Sequence, residues 1–234
     1  MKKICILLII IFCISTVYTA NAEKQPVDKI VYLTFDDGPS NNTYRILDIL
    51  KQYDVKATFF VVRREKYNDA YQRILLEGHT LGGHSSSHRY DMIYRSSDAY
   101  YTDLNDLSNY IYRITKYRYN IIRFPGGSNN TISIKYSNPK IMDEITINSS
   151  YEGYTYYDWN VDSEDASSTL KTKEQLAFNV INQCKEHRES IVLMHDCPNN
   201  TTTPDSLPII IKTLRKEGYQ FKAITSDTKV IKFK

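Results

Sequence analysis

Cysteine is scarce in this chain of 234 residues: of four, Cys5 and Cys13 fall in an apolar leader, leaving only Cys184 and Cys197. Two cysteines exclude a disulfide-built scaffold, although one bridge between them stays open in an oxidising compartment. Net charge is also low. The formal value is +3, and removing Lys2 and Lys3 with the leader, which holds no acids, brings it to +1. That balance, with no basic run, gives no footing for nucleic acid or an anionic membrane surface. Beyond the leader no apolar run approaches the roughly 20 residues that a membrane span requires. Internal repeats, low-complexity linkers and a second composition regime are missing as well, so the remaining chain of about 210 residues reads as one domain with a substantial core.

The leader itself has the three parts of a secretory signal: Lys2-Lys3, an apolar run from Ile4 to Ile14, and the small-residue site Ala20-Asn21-Ala22. Cleavage after Ala22 is expected, giving a signal over residues 1–22, a domain over 23–234 and a secreted or cell-wall protein. An uncleaved signal would instead leave it anchored to the membrane.

The chemistry starts at Val31 to Ser40, V-Y-L-T-F-D-D-G-P-S. A run of β-formers ends in Asp36 and Asp37, and Gly38-Pro39 turns the chain. Adjacent carboxylates are costly to ionise together unless a cation lies close by, so the pair points to a metal or catalytic site as well as to a plain turn. Helical spacing is expected over Thr43 to Tyr53, with Thr43 as its cap, and over Tyr67 to Glu77, Asp98 to Thr115, Asn138 to Ile147, Lys173 to Glu186 and Pro204 to Glu217. Strands are expected at Val55 to Val62, near Thr80-Leu81, and at Ile121 to Phe124, Tyr154 to Trp159, Ser190 to His195 and Tyr219 to Ala223. This alternation implies parallel strands with right-handed crossovers, in an open doubly wound sheet or a barrel. Asp36-Asp37, His84, Arg123, Asp158 and His195 each fall at a strand's C-terminal end. Convergence from so many strands favours a distorted (β/α) barrel with a missing or irregular strand.

His84 and His88, four apart in H-S-S-S-H, would share one face of a helical turn and reach one cation. With one carboxylate they make a set that leaves coordination positions open for water and substrate. His79 reads as structural. Five segments then occur in order: T-F-D-D-G-P at Thr34 to Pro39, H-S-S-S-H at His84 to His88, R-F-P-G-G at Arg123 to Gly127, D-W at Asp158-Trp159 and L-M-H at Leu193 to His195. In this order and spacing the chain resembles the polysaccharide deacetylase family, also called the NodB-homology domain or carbohydrate esterase family four.

The resemblance implies a role for each position. Asp37, His84 and His88 would hold one divalent ion, zinc first, with cobalt, manganese or nickel also able to occupy such a site. Asp36 would be the general base, oriented by Arg123, and His195 the general acid, held and tuned by Asp158. The backbone N–H of Gly126, where many members carry tyrosine, would meet the oxyanion, and Leu193 and Trp159 would wall the pocket for the acetyl methyl. Asp196 is unassigned. The implied substrate is an N-acetylated polysaccharide, and the run D-W-N-V-D-S-E-D-A from Asp158 to Ala166 is similar to cell-wall deacetylases acting on peptidoglycan. A monomer is expected. O-Deacetylation of a polymer such as xylan, an iron oxygenase on the same two-histidine, one-carboxylate set, and a catalytically silent sugar-binding module stay open.

Overall fold

In the computed structural model, residues 29–233 are described, and the leader and its cleavage site lie outside them. The chain runs β1 (Lys29–Asp36), α1 (Asn41–Gln52), β2 (Thr58–Val62), α2 (Asn68–Leu76), β3 (Thr80–Ser85), a short α3 (Tyr90–Ile93), α4 (Ser97–Thr115), β4 (Ile121–Ile122), α5 (Ile141–Tyr151), β5 (Thr155–Tyr156), β6 (Val161–Asp162), α6 (Lys173–Cys184), β7 (Glu189–His195), α7 (Thr202–Lys216) and β8 (Tyr219–Phe221). The expected alternation is present. The capping expectation shifts by three residues: Ser40 caps α1, its Oγ accepting from Asn42 N, while Thr43 Oγ1 accepts from Ser40 N as the other half of a capping box. Two elements that the sequence pattern did not announce, α3 and β6, both border the site described below. None of the described helices is long and apolar enough to cross a membrane.

All strand pairings are parallel, in the order β5-β4-β3-β2-β1-β7-β6, with β8 beside the first residues of β1. Laid flat, seven strands at the usual spacing would put the outer two about 29 Å apart. Yet β5 and β6 are joined by Tyr157 to Asn160 alone, a link that spans at most about 18 Å. The sheet therefore has to curl into a distorted barrel whose seam lies between β5 and β6. Residues 231–233 run along this seam: Asp158 N donates to Ile231 O at 2.9 Å and Phe233 N to Asp158 Oδ2 at 2.8 Å, and Lys232 Nζ lies 4.1 Å above the Tyr156 ring. These residues form no strand, so β5 and β6 are left unpaired at the seam, as the expectation of a missing or irregular strand requires.

Period-two alternation along the strands makes two cores. Val31, Leu33 and Phe35 of β1, with Phe59, Val61, Val192 and Met194, face the helices in the larger one. Tyr32, Phe60, Ile121, Tyr157, Ile191 and Ile224 fill the barrel interior. On β1 the inward series is Tyr32, Thr34, Asp36, and on β7 it is Ile191, Leu193, His195. Period two thus lifts the catalytic candidates out of the top of an apolar plug.

Glycine is required where β3 passes under α4. A Cβ on Gly83 would stand 2.4 Å from the Tyr119 ring, itself buried and donating from Oη to Leu104 O at 3.0 Å. Gly83→Ala should cost about 1–3 kcal/mol by overpacking, and a thermal melt should fall by several degrees.

Candidate active site

The two adjacent acids diverge. Asp36 ends β1 pointing into the barrel and is 3 % exposed, whereas Asp37 takes a left-handed φ of +71°, which turns its side chain toward the mouth. Asp36 Oδ1 accepts from Arg123 Nη1 at 2.9 Å. Arg123 is fully buried and uses its whole fork: Nη1 also reaches Thr34 Oγ1 at 2.6 Å, Nε donates to Tyr157 O at 3.0 Å and Nη2 to Asp158 O at 3.1 Å. Its guanidinium stacks over Phe60, 4.4 Å to the ring centroid. A buried ion pair is tolerable only when its remaining donors are satisfied, and this one fixes the Asp36 carboxylate in one orientation.

His84, His88 and Asp37 converge, each offering one ligand atom, with these atoms within 4.8 Å of one another. The two histidines do not share a helical turn. His84 sits near the end of β3, while His88 lies in the following loop at a φ of +53°, and the loop brings it back over the strand end. Asp103 of α4 holds that loop, accepting from Ser85 Oγ, Ser86 N and Ser87 N at 2.7, 2.6 and 3.0 Å, and Ser85 Oγ in turn accepts from His88 N at 2.8 Å. His84 Nδ1 contacts Arg123 O at 2.7 Å. A carbonyl only accepts, so Nδ1 carries the proton, and in the neutral ring Nε2 presents its lone pair to the cleft.

Both Nε2 atoms approach Asp37 Oδ1, at 3.4 Å from His84 and 3.1 Å from His88, yet this oxygen is buried and receives no properly aimed donor. Burial alone would raise the Asp37 pKa, but the two histidines hold it well below the carboxylate range; burial would lower the His84 pKa, but the charges of Asp36 and Asp37 raise it. The site draws positive charge from every side. A carboxylate and two imidazoles around one point suit a divalent ion such as zinc.

The partner of His195 differs from the expected one. His195 Nδ1 and its backbone N both meet Asp165, at 2.8 Å each, and Thr203 Oγ1 donates to the same carboxylate at 2.7 Å. Asp158 shares no hydrogen bond or ion pair with His195; its carboxylate accepts from Ser128 N, Ser128 Oγ and Phe233 N at 2.9, 2.6 and 2.8 Å. The reason lies in β6. It pairs with β7 so that Asp162 is opposite Leu193, and the next residues carry Asp165 alongside His195, while Asp158 precedes β6 and lies at the seam. The second acid run, D-S-E-D from Asp162 to Asp165, opens on the last residue of β6; the sequence reading took it only as a likeness to cell-wall deacetylases, not as the source of a partner for His195. Burial would lower the His195 pKa, but the Asp165 hydrogen bond and charge, with Asp36 and Asp37 adding, lift it to about 9. Register makes Asp36 and His195 direct neighbours on β1 and β7.

These groups line a cleft of about 300 Å³ with Tyr90, Gly126, Trp159, Ala166, Leu193 and Cys197. A larger hollow of about 650 Å³ lies at the other end of the barrel, among Ile30, Lys56, Thr80 and Thr225, away from all of this chemistry. Gly126 has a φ of +79° in the turn after β4. Trp159 packs edge-on against Phe233, centroids 5.0 Å apart, so the seam segment buttresses the cleft wall. Cys184 and Cys197 are both free thiols. Asp196 lies behind Asp37, accepting from Ser40 Oγ at 2.8 Å and Thr43 Oγ1 at 2.6 Å, and burial lifts its pKa to about 7. It ties β7 to the start of α1. His79 is structural, as expected: its Nδ1 accepts from Ala57 N at 3.1 Å, and burial lowers its pKa to about 4.

The sequence pattern of polysaccharide deacetylases matches residues 23–140, half of the chain. A peptidoglycan-N-acetylglucosamine deacetylase of Bacillus cereus is 31% identical over 83% of this chain and 69% of its own length. A bifunctional xylanase/deacetylase of Pseudobutyrivibrio xylanivorans is 30% identical over 88% of this chain but only 31% of its own. Among solved structures, the catalytic domain of peptidoglycan N-acetylglucosamine deacetylase from Eubacterium rectale superposes with a TM-score of 0.85 at 38% identity, covering 89% of this chain and 94% of that one.

Proposed function

The chain belongs to the polysaccharide deacetylase family, and from that premise we propose that it hydrolyses the N-acetyl groups of amino-sugar residues in a polysaccharide, with peptidoglycan N-acetylglucosamine as the substrate. The observation that carries this reading is the pairing of Asp36 with His195 across β1 and β7, one fixed by Arg123 and the other by Asp165, beside the Asp37–His84–His88 set. A sugar-binding module has no use for a base and an acid held face to face. The substrate follows that of the similar peptidoglycan-N-acetylglucosamine deacetylases, and similarity to a xylanase/deacetylase keeps O-acetylated xylan as the second reading.

Asp37, His84 and His88 would hold one divalent ion, zinc in this proposal, which when bound supplies Lewis-acid activation of a water and of the acyl oxygen. Asp36 removes the proton of the attacking water as the new C–O bond forms, its carboxylate oriented by Arg123. The Gly126 N–H meets the oxygen on which charge develops. His195, protonated at neutral pH, gives its proton to the amine nitrogen as the C–N bond breaks, releasing acetate and a free amino sugar. Asp165 keeps the imidazole in the required tautomer and stabilises its charged form. Leu193 and Trp159 enclose the methyl group. In this proposal the leader over residues 1–22 directs the chain out of the cell, and N-terminal sequencing of the exported protein should begin at Glu23.

The test is acetate and free-amine release by protein supplemented with zinc, on peptidoglycan, N-acetylchitooligosaccharides and acetylxylan. Free amino sugar from peptidoglycan is the expected result. Acetate from acetylxylan alone would move the assignment to the ester reading, and no acetate from any of the three would end it.

A further inference from the structure

We propose that Tyr90 contacts the substrate directly: its phenol O–H donates a hydrogen bond to the acetyl oxygen as negative charge gathers there. This rests on the reaction proposed above and adds a second protein donor beside the Gly126 N–H.

The position of the ring is fixed from two sides. Tyr90 opens α3, its ring stands edge-on to His88 with centroids 5.7 Å apart, and it packs edge-on at 5.4 Å against Tyr94. Tyr94 is itself fully buried and anchored by its Oη donating to Pro125 O at 2.6 Å. The hydroxyl points over the turn after β4, where a Cβ on Gly126 would stand 3.0 Å from Tyr90 Oη. The phenol therefore bridges a candidate metal ligand and the candidate oxyanion donor. That is the side of the cleft where the acyl oxygen must lie if both are to act on it.

Two further observations support a role in the reaction rather than in packing. The hydroxyls of Tyr94, Tyr101 and Tyr119 donate to Pro125 O, Ile145 O and Leu104 O, but among the described residues Tyr90 Oη has no protein partner, although it lines the cleft. Unlike Tyr100 Oη, which is buried without a partner, Tyr90 Oη is not sealed from the cleft, so its donor can meet a substrate oxygen there. Gly126 and Tyr90 also fit as a pair. The space that a side chain at 126 would enter is the space the phenol occupies, so a glycine there leaves room for a hydroxyl supplied from α3.

Tyr90→Phe deletes only the oxygen. With zinc-loaded full-length protein and an N-acetylchitooligosaccharide, kcat should fall by roughly 10- to 100-fold while KM stays within about twofold, because the oxyanion exists only in the transition state. Zinc content and melting temperature should match the wild type. Unchanged kcat would overturn the proposal, and so would a loss of activity that follows a loss of zinc or a lower melting temperature, since either makes Tyr90 structural. Wild-type protein that releases no acetate from any acetylated sugar would take down the reaction and this inference together. An active wild type with an indifferent Tyr90→Phe takes down this inference alone.

Discussion

Asp165→Asn should lower turnover by roughly 10²- to 10⁴-fold, the range a positioned general acid contributes, while Asp158→Asn should leave the pH profile in place and lower stability. The two acids lie seven residues apart in sequence and have separate jobs. Asp165 is the acceptor for His195 Nδ1. An amide in its place removes the charge that favours the imidazolium, so the alkaline limb of the rate profile, set in the wild type by a His195 pKa of about 9, should move toward neutral pH. Asp158 instead ties Ser128, just after the Gly126-Gly127 turn, to the seam segment at Phe233. Its replacement sets an amide N–H₂ against donors and should cost about 1–3 kcal/mol, read as a lower melting temperature.

Stability should depend on pH with a sign that the same pair determines. The raised pKa of His195 stabilises the fold fully below the unfolded value of ~6.5, and the effect is lost as pH rises through about 9. Asp165 is displaced the other way: burial would raise its pKa, but the His195 contacts hold it low, so its contribution is present above the ordinary value of 3.8 and is lost as pH falls through the depressed one. The gap in melting temperature between wild type and Asp165→Asn should be widest between these limits and should narrow toward pH 9. A gap that widens with rising pH would contradict the pairing.

His84→Ala should abolish stoichiometric zinc binding and cut turnover by about 10³-fold or more, since several kcal/mol of transition-state stabilisation go with the ion. Chelation should silence the wild type to a similar level, and added zinc should restore the wild type but not the variant. Metal analysis by mass spectrometry alongside acetate release checks both halves. A variant that still retains one zinc per chain and full activity would remove His84 from the ligand set. Asp37 and His88 would then need another partner, and among the described residues no other His, Cys, Asp or Glu offers a ligand atom within 4.8 Å of both.

The candidate residues were legible because they sit on local signals. Asp36 and Asp37 end a β-run at Gly38-Pro39, Arg123 and His195 end strands, and the His84–His88 spacing is visible without any fold. The errors came where spacing alone was asked to give geometry. A separation of four suggested a helical turn for His84 and His88, but a strand end and a loop held by Asp103 reach the same point. Asp158 stood beside the only tryptophan and was expected to hold His195, a contact that Asp165 makes instead, because the two-residue strand Val161-Asp162 is too short to leave a periodic trace. Tyr90 had no local mark, since its importance depends on what a glycine at 126 leaves open.

The sequence by itself determined the alternating architecture, the near-neutral charge and which acids, histidines and arginine stand at strand ends, because period-two and helical patterns and short motifs are properties of neighbours along the chain. Tertiary structure alone decided which acid faces His195, how the adjacent carboxylates Asp36 and Asp37 turn apart, and that residues 231–233 run along the barrel seam. These depend on strand register and on contacts between residues far apart in the chain: Asp36 lies beside His195, and Asp158 beside Phe233. A one-residue change of register would turn each of these side chains to the opposite face.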